Sequence, residues 1–441
     1  MDNASMTPIG IAENLLQAVK CIYGGNNPQF PGEKAASFDD KKRIQQLCLS
    51  LLKEVAGPSE YTILLAESCY ESAALHCVTE FRIADVIGEG TKTLSAISRE
   101  VKADARHIRV AMNCLLRHGY FEEVQGLDDQ AFKNNRMSDV LRDKHPETLC
   151  DAIGFVCDDG FKAAAYLSEA ACASAVDRME GTPAPTALNL ALGFQGSVFK
   201  HWEDPTHAWR GERMGRAMKQ LHQMANANVA TDFGWQALIS PLVDVGGGIG
   251  SLEMALTTAY PASALRYIVV DTLNTIKDAL TVWDSQPPNI RQKVSFVAGD
   301  FLASTVDDTH IPRGKSTYLV RHVLHDWSDE QVIRILKNVH AAMVSPPLPT
   351  TGGPHSGGTL PQQSDTTQAR APKLLLCEMV LREDSSRFAC TTSIQLLVMN
   401  NGIVRTEKEI HALLGQAGFR VAATHTMRAV DTIIEAIPVS L

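Results

Sequence analysis

His325 and Glu378 are side chains that could move a proton, and a glycine-rich turn ends 75 residues before the histidine, at Gly250. Imidazole suits a general base because its ordinary proton affinity lies near working pH. A carboxylate beside it orients the ring and stabilises the imidazolium. The turn belongs to Leu242-Val243-Asp244-Val245-Gly246-Gly247-Gly248-Ile249-Gly250, an apolar run that reads as a buried strand entering a glycine loop. Glycines there let the backbone approach a ligand that no side chain would admit. The run is not the dinucleotide pattern G-x-G-x-x-G, whose third glycine would fall at Ser251. Two further strand ends carry acids. Asp271 closes Tyr267-Ile-Val-Val and can hold a ribose, and Gly299-Asp300-Phe301 offers a carboxylate and a ring that can hold an adenine. Three such ends in succession predict a nucleotide-type cofactor.

The elements that must position these residues follow from the hydrophobic pattern. Strand candidates are Leu242–Val245, Tyr267–Val270, Val294–Val297, Thr317–Leu324 and Lys373–Met379, with amphipathic segments between them. That alternation predicts an α/β fold with a Rossmann-like, doubly wound sheet. His325 follows the fourth strand, and Ser328-Asp-Glu-Gln331 is a capping box that starts the next helix. The histidine is therefore expected at the carboxyl edge of the sheet, where such folds bind ligands. Glu378 ends the following strand.

Upstream, the first 60 or so residues carry helical periodicity broken by the turn-rich stretch 23–28, and Tyr61–Ile87 reads as a long helix. Leu94–Val101, a helix opened by Asp104 and ended by Gly119, and two strands at Tyr120–Val124 and Phe132–Ser138 form a winged-helix pattern. Its second helix offers only Arg106, Arg109 and Arg117 as cations, in a chain of net charge −9. Nucleic acid is not an expected partner. The expected division is 1–150 helical and winged-helix, 151–240 a helical connector and substrate-pocket region, and 241–441 the cofactor domain, with 344–373 a flexible insert. In the connector Phe199, Trp202 and Met218 are candidates to line a pocket for an aromatic ligand.

At 441 residues, 45% hydrophobic and 21% charged, the chain can bury large cores. The ten cysteines form no C-x-x-C pair and no zinc-spaced Cys/His cluster, so no metal is expected. No basic-then-apolar leader opens the sequence and no apolar run is long enough to span a bilayer, so no membrane partner and a cytoplasmic location are expected.

From about Ala74 onwards the chain resembles the S-adenosylmethionine-dependent O-methyltransferases of the plant caffeic-acid type and their fungal secondary-metabolism relatives. The resemblance rests on the winged-helix region, Val243-Asp244-Val245-Gly246-Gly247-Gly248, Asp271, Gly299-Asp300-Phe301, His325-Asp326-Trp327-Ser328-Asp329, and Arg405-Thr406 before a helix that ends near Gly415–Phe419. It implies a homodimer acting on a small molecule. The cofactor would be S-adenosylmethionine, held by Asp244, Gly246, Gly248, Asp271, Asp300 and Phe301 with Arg321 nearby. His325 would deprotonate the acceptor hydroxyl, with Glu378 at its flank. Two positions depart from the family pattern. Val404 stands where a second carboxylate usually precedes the Arg-Thr pair, and Ser393 where an Asp often opens the preceding helix. Losing one carboxylate beside the histidine weakens an imidazolium by about 1–3 kcal/mol. The same change suits the methyltransferase-like pericyclases, which keep the cofactor as a fixed charge. There Arg321 or protonated His325 would polarise a carbonyl, and Val404 would shape an apolar wall.

Overall fold

The computed structural model describes residues 7–23, 38–126, 128–180, 184–346, 371–428 and 430–439. The expected turn after Tyr23 and most of the 344–373 insert lie outside them. The chain forms two compact units, Met1–Lys162 with Phe199–Leu221, and Ala163–Val198 with His222–Leu441. The stretch 151–240 is thus shared between the units rather than standing as a connector of its own.

In the first unit the long helix runs over Phe38–Glu80, earlier than the pattern predicted, and is broken at Gly57 (φ 71) ahead of Pro58. It stops short of Ile87 because Arg82 is left-handed (φ 51), after which Ile83–Ile87 is a separate helix. The winged-helix pattern is present. Strands β1 (Thr91–Thr93), β2 (Glu122–Val124) and β3 (Ala131–Lys133) pair antiparallel in the order β1-β3-β2. The helix Ala105–Arg117 starts where the Asp104 carboxylate accepts the Arg106 and His107 amides. Ile97, Ile108, Met112 and Phe132 are fully buried between these elements. The second wing strand ends at Lys133, not Ser138. Asn135 accepts the Met137 and Ser138 amides while Ser138 caps back, so Arg136–Asp139 is a helical turn.

The second unit is built on seven strands: β4 (Leu242–Val245), β5 (Tyr267–Asp271), β6 (Val294–Ala298), β7 (Thr317–Arg321), β8 (Lys373–Met379), β9 (Phe419–Thr426) and β10 (Asp431–Pro438). Their order is β6-β5-β4-β7-β8-β10-β9, parallel except for the β9–β10 hairpin, which joins antiparallel to β8. The winding reverses between β4 and β7, the place where open α/β sheets leave a crevice at the carboxyl edge. Val243, Val245, Tyr318, Val320, Leu374 and Leu376 face one apolar layer. Leu242, Leu319, Leu375 and Ile433 face the other. The hairpin escaped the sequence reading because β9 alternates buried and exposed positions among polar residues, with no apolar run to mark it.

Candidate active site

The glycine turn is shaped by what crowds it. Gly246 has φ 80 and donates its amide to the Val270 carbonyl at 2.8 Å, and a Cβ there would stand 2.6 Å from Val323 Cγ2. Gly248 (φ 62) donates to Asp271 Oδ2 at 2.9 Å, while Thr272 N–H donates to Asp271 Oδ1 at 2.8 Å. The carboxylate ending β5 thus ties the turn to the next helix. On its other side the turn is open, since a Cβ at Gly248 would meet nothing within 4 Å. Trp283 closes the turn from behind by donating its indole N–H to the Ile249 carbonyl at 2.7 Å. At the end of β6, Asp300 is exposed and accepts the Leu302 amide at 2.8 Å. Phe301 is half-buried, its ring edge-on to Trp327 at 5.9 Å. Asn338 fixes this loop by donating to the Phe301 and Ala303 carbonyls.

Two expected site residues lie deeper than the sequence suggested. Asp244, on the interior face of β4, is buried, and a Cβ on Gly247 would stand 2.5 Å from its Oδ2. Burial, with Glu253 beside it, pushes its carboxyl well above the usual range beneath the turn. Arg321 is also buried, with Nη2 4.0 Å from Asp431 Oδ2. Side chains alternate along a strand, so Arg321 shares the face of Leu319 and points into the sheet layer.

His325 sits on a short 3-10 turn, Leu324–Asp326, because β7 ends early. His322 takes a left-handed backbone (φ 53), and the Val323 and Leu324 amides turn onto Glu378 Oε1 at 3.0 and 2.8 Å. The other carboxylate oxygen of Glu378 lies 2.7 Å from His325 Nδ1. One buried carboxylate thus holds both the turn and the ring. Burial pulls the His325 proton affinity down, but Glu378 and Asp326 outweigh it and lift the pKa to about 9. Burial pushes Glu378 up, and His325 pulls it back below its ordinary value. Behind the pair lies a cavity of about 10 Å³ lined by Leu324, Val332, Leu376, Ile403 and Ile410 among others. It has room for about one water, so little solvent screens the pair from that side.

Several supports escaped the sequence reading. Arg405 donates to the Leu324 and Trp327 carbonyls at 2.7 Å each and to Asp329 at 2.9 Å, clamping both ends of the histidine turn. Ile403 N–H donates to the His325 carbonyl at 2.9 Å, and Asn400 to Asp326 at 2.7 Å. That approach needs a glycine at 402, where any Cβ would run into the His325 carbonyl. The Asn401-Gly402 pair before Arg405-Thr406 was the available signal. The two departures from the family pattern touch each other: Val404 N–H donates to Ser393 Oγ at 3.3 Å. Val404 is itself buried with Met379 and Ala389. Phe199, Trp202 and Met218 belong to the first unit, where Trp202 is buried against Gly211 and meets Phe199 edge-on at 6.3 Å.

The strand order and the glycine turn beside the winding reversal define a class I methyltransferase fold, preceded by a winged-helix region. A family model described as an O-methyltransferase domain matches residues 191–353. O-methyltransferase tpcA of Aspergillus fumigatus is 28% identical over 93% of this chain and 89% of its own. The mitomycin biosynthesis 6-O-methyltransferase of Streptomyces lavendulae is 26% identical over 81% of this chain and 88% of its own. Among solved structures, OxaC in complex with SAH and oxaline superposes with a TM-score of 0.69 at 18% identity, covering 98% of both chains. The chain thus carries a match to an O-methyltransferase domain and is similar over most of its length to O-methyltransferases of fungal and Streptomyces secondary metabolism. Among the described residues no helix is long and apolar enough to cross a membrane, and no group of His, Cys, Asp or Glu is arranged to hold a metal ion.

Proposed function

We propose that this protein methylates a hydroxyl of a small aromatic or polyketide-type metabolite, with His325 as general base and Glu378 as its orienting partner. The observation that carries the reading is the 2.7 Å contact between His325 Nδ1 and a Glu378 carboxylate already fixed by two backbone amides. When bound, S-adenosylmethionine supplies an electrophilic methyl group. Asp271 and the open side of the Gly246–Gly248 turn fit its ribose and amino-acid portion, and Asp300 with Phe301 fits an adenine. Asp244 supports the turn from below, and Arg321 is a buried counter-charge to the acids around it.

His325 Nε2 takes the proton from the acceptor hydroxyl while Nδ1–H stays on Glu378. With a pKa of about 9 the ring holds a proton at neutral pH in the free protein, so it must lose one before it can act. A positive charge brought to the same edge favours that loss. The exposed Val55, Ile63, Leu65 and Tyr70 on the first unit's long helix support a homodimer, which sedimentation at micromolar concentration checks.

One observation favours a second reading. The carboxylate expected at Val404 is replaced by a buried valine contacting Ser393, and an imidazolium at His325 is a donor. Such a donor suits a cyclisation in which the cofactor keeps its methyl group. Methyl-labelled S-adenosylmethionine and an extract of polyketide and pyridone-type precursors separate the two. Label in a product about 14 mass units heavier than its precursor supports methyl transfer. An unlabelled isomer or dehydrated product, with the cofactor unconsumed, supports cyclisation.

A further inference from the structure

Glu253 is an acid in an apolar layer. It sits in the first turn of the helix Ser251–Ala259, which follows the glycine turn directly and buries Leu252 and Leu256 against Leu242, Tyr267 and Leu319. The side chain of Glu253 is fully buried, and Asp244 nearly so. Among the described residues none donates a hydrogen bond to either carboxylate oxygen of Glu253 or to Asp244 Oδ1. The amide of Glu253 itself faces the carboxylate from the helix start without completing such a bond. A carboxylate in such a layer is expensive unless it is paired or neutralised. Asp244 and Glu253 lie within hydrogen-bonding reach of each other. Two carboxylates only accept, whereas one proton between them makes a donor and an acceptor of the pair.

We propose that Asp244 and Glu253 share one proton and act as positioning residues, clipping β4 to the helix Ser251–Ala259 across the base of the Gly246–Gly250 turn so that the turn keeps the shape that receives S-adenosylmethionine. The proposal rests on that turn being the cofactor's seat. The two acids stand at its two ends. Asp244 backs onto Gly247, whose carbonyl accepts the Gly250 amide at 3.1 Å, and the Gly250 carbonyl accepts the Met254 amide at 3.0 Å. A bond between the acids closes that chain of contacts from below. Of the charged and titratable groups around them, Arg321 of β7 draws both acids down, Asp271 of β5 pushes Asp244 up, and Tyr267 of β5 faces Glu253. Burial outweighs Arg321 for both, so each holds a proton more tightly than an exposed acid does.

The test reads the proton and the clip separately, on the whole protein. Infrared difference spectra at neutral pH, in H2O and D2O, should show one un-ionised carboxyl band in wild type that is lost in both Glu253→Gln and Asp244→Asn, because in each variant the new amide donates to the remaining carboxylate. A wild type without that band, or a band removed by only one of the two variants, overturns the shared proton. Affinity for S-adenosylhomocysteine, measured by calorimetry, should stay within about threefold in Glu253→Gln and fall about tenfold in Glu253→Leu, the worth of one buried hydrogen bond. Leucine suits the apolar layer, so an unchanged affinity in Glu253→Leu overturns the clip. If affinity is unmoved in Asp271→Asn as well, the cofactor does not sit on the turn and the underlying reading fails with it. Should Glu253→Leu not fold, the infrared band and Glu253→Gln still decide, since a tenfold loss in a variant that keeps the bond overturns the proposal.

Discussion

Asp158 and Asp159, on the wide turn Phe155–Gly160 of the first unit, are buried against Arg210 and Arg213, whereas Glu378 in the second unit is buried against His325 and two amides. In the first cluster Arg213 reaches both acids at 2.7 Å, Lys162 reaches Asp158, and the two guanidinium groups lie over the Trp209 ring at 4.4 and 4.8 Å. Burial tends to raise Asp158, but the Lys162 and Arg213 bonds overcome it and hold the carboxyl far below its usual range. Asp158 is therefore held as a carboxylate by its cationic partners. The second cluster has the same burial and one different member. A histidine replaces the arginines, and its proton can leave. Burial and tight hydrogen bonding thus make a cluster strong, while a titratable partner gives it something to do.

The sharpest way to break the contrast is His325→Ala. Turnover should fall by about 10²- to 10⁴-fold, the usual worth of a positioned base, while cofactor affinity measured by calorimetry stays within about threefold. Loss of both together would make the histidine structural. Arg213→Met should do the reverse. It removes one of the two guanidinium groups that hold a pair of buried carboxylates, so denaturant unfolding should record a loss of up to about 3 kcal/mol, with kcat/KM of the folded fraction within about twofold of wild type. If stability is unchanged, the first cluster is not the strut described here.

A smaller effect separates the clusters by pH. The folded pKa of His325, about 9, lies above the unfolded value of 6.5. Its contribution is fully present below about pH 6.5 and is lost as pH rises through 9, up to about 3 kcal/mol in all. Unfolding measured from pH 6 to 10 should show that decline in wild type and little of it in Glu378→Gln. An equal decline in Glu378→Gln would assign the effect elsewhere.

Much of this was legible in the sequence because it depends on local pattern. Val243, Val245, Val269 and Val270 announce buried parallel strands, the Gly246–Gly250 run its turn, and Ser328 with Gln331 the helix after the histidine. Those features need only neighbours within a few residues. Glu378 was found because the end of a predicted strand fixes which edge of the sheet it occupies. Asp244 and Arg321 entered as cofactor residues through the family resemblance, which does not fix the face of a strand on which a side chain lies. A side chain's face depends on register against neighbouring strands. His322, Asp431, Asn400, Gly402 and Arg405 became visible only in the fold. Asp431 lies 106 residues beyond His325 and reaches the edge through an antiparallel hairpin that the polar alternation of β9 concealed. The sequence by itself determined the order of the motifs along the chain, the glycine turn and the histidine proposed as base. Only the tertiary structure decided which carboxylates surround that base, because long-range pairing of β8 with β10 brings those charges within range of its proton.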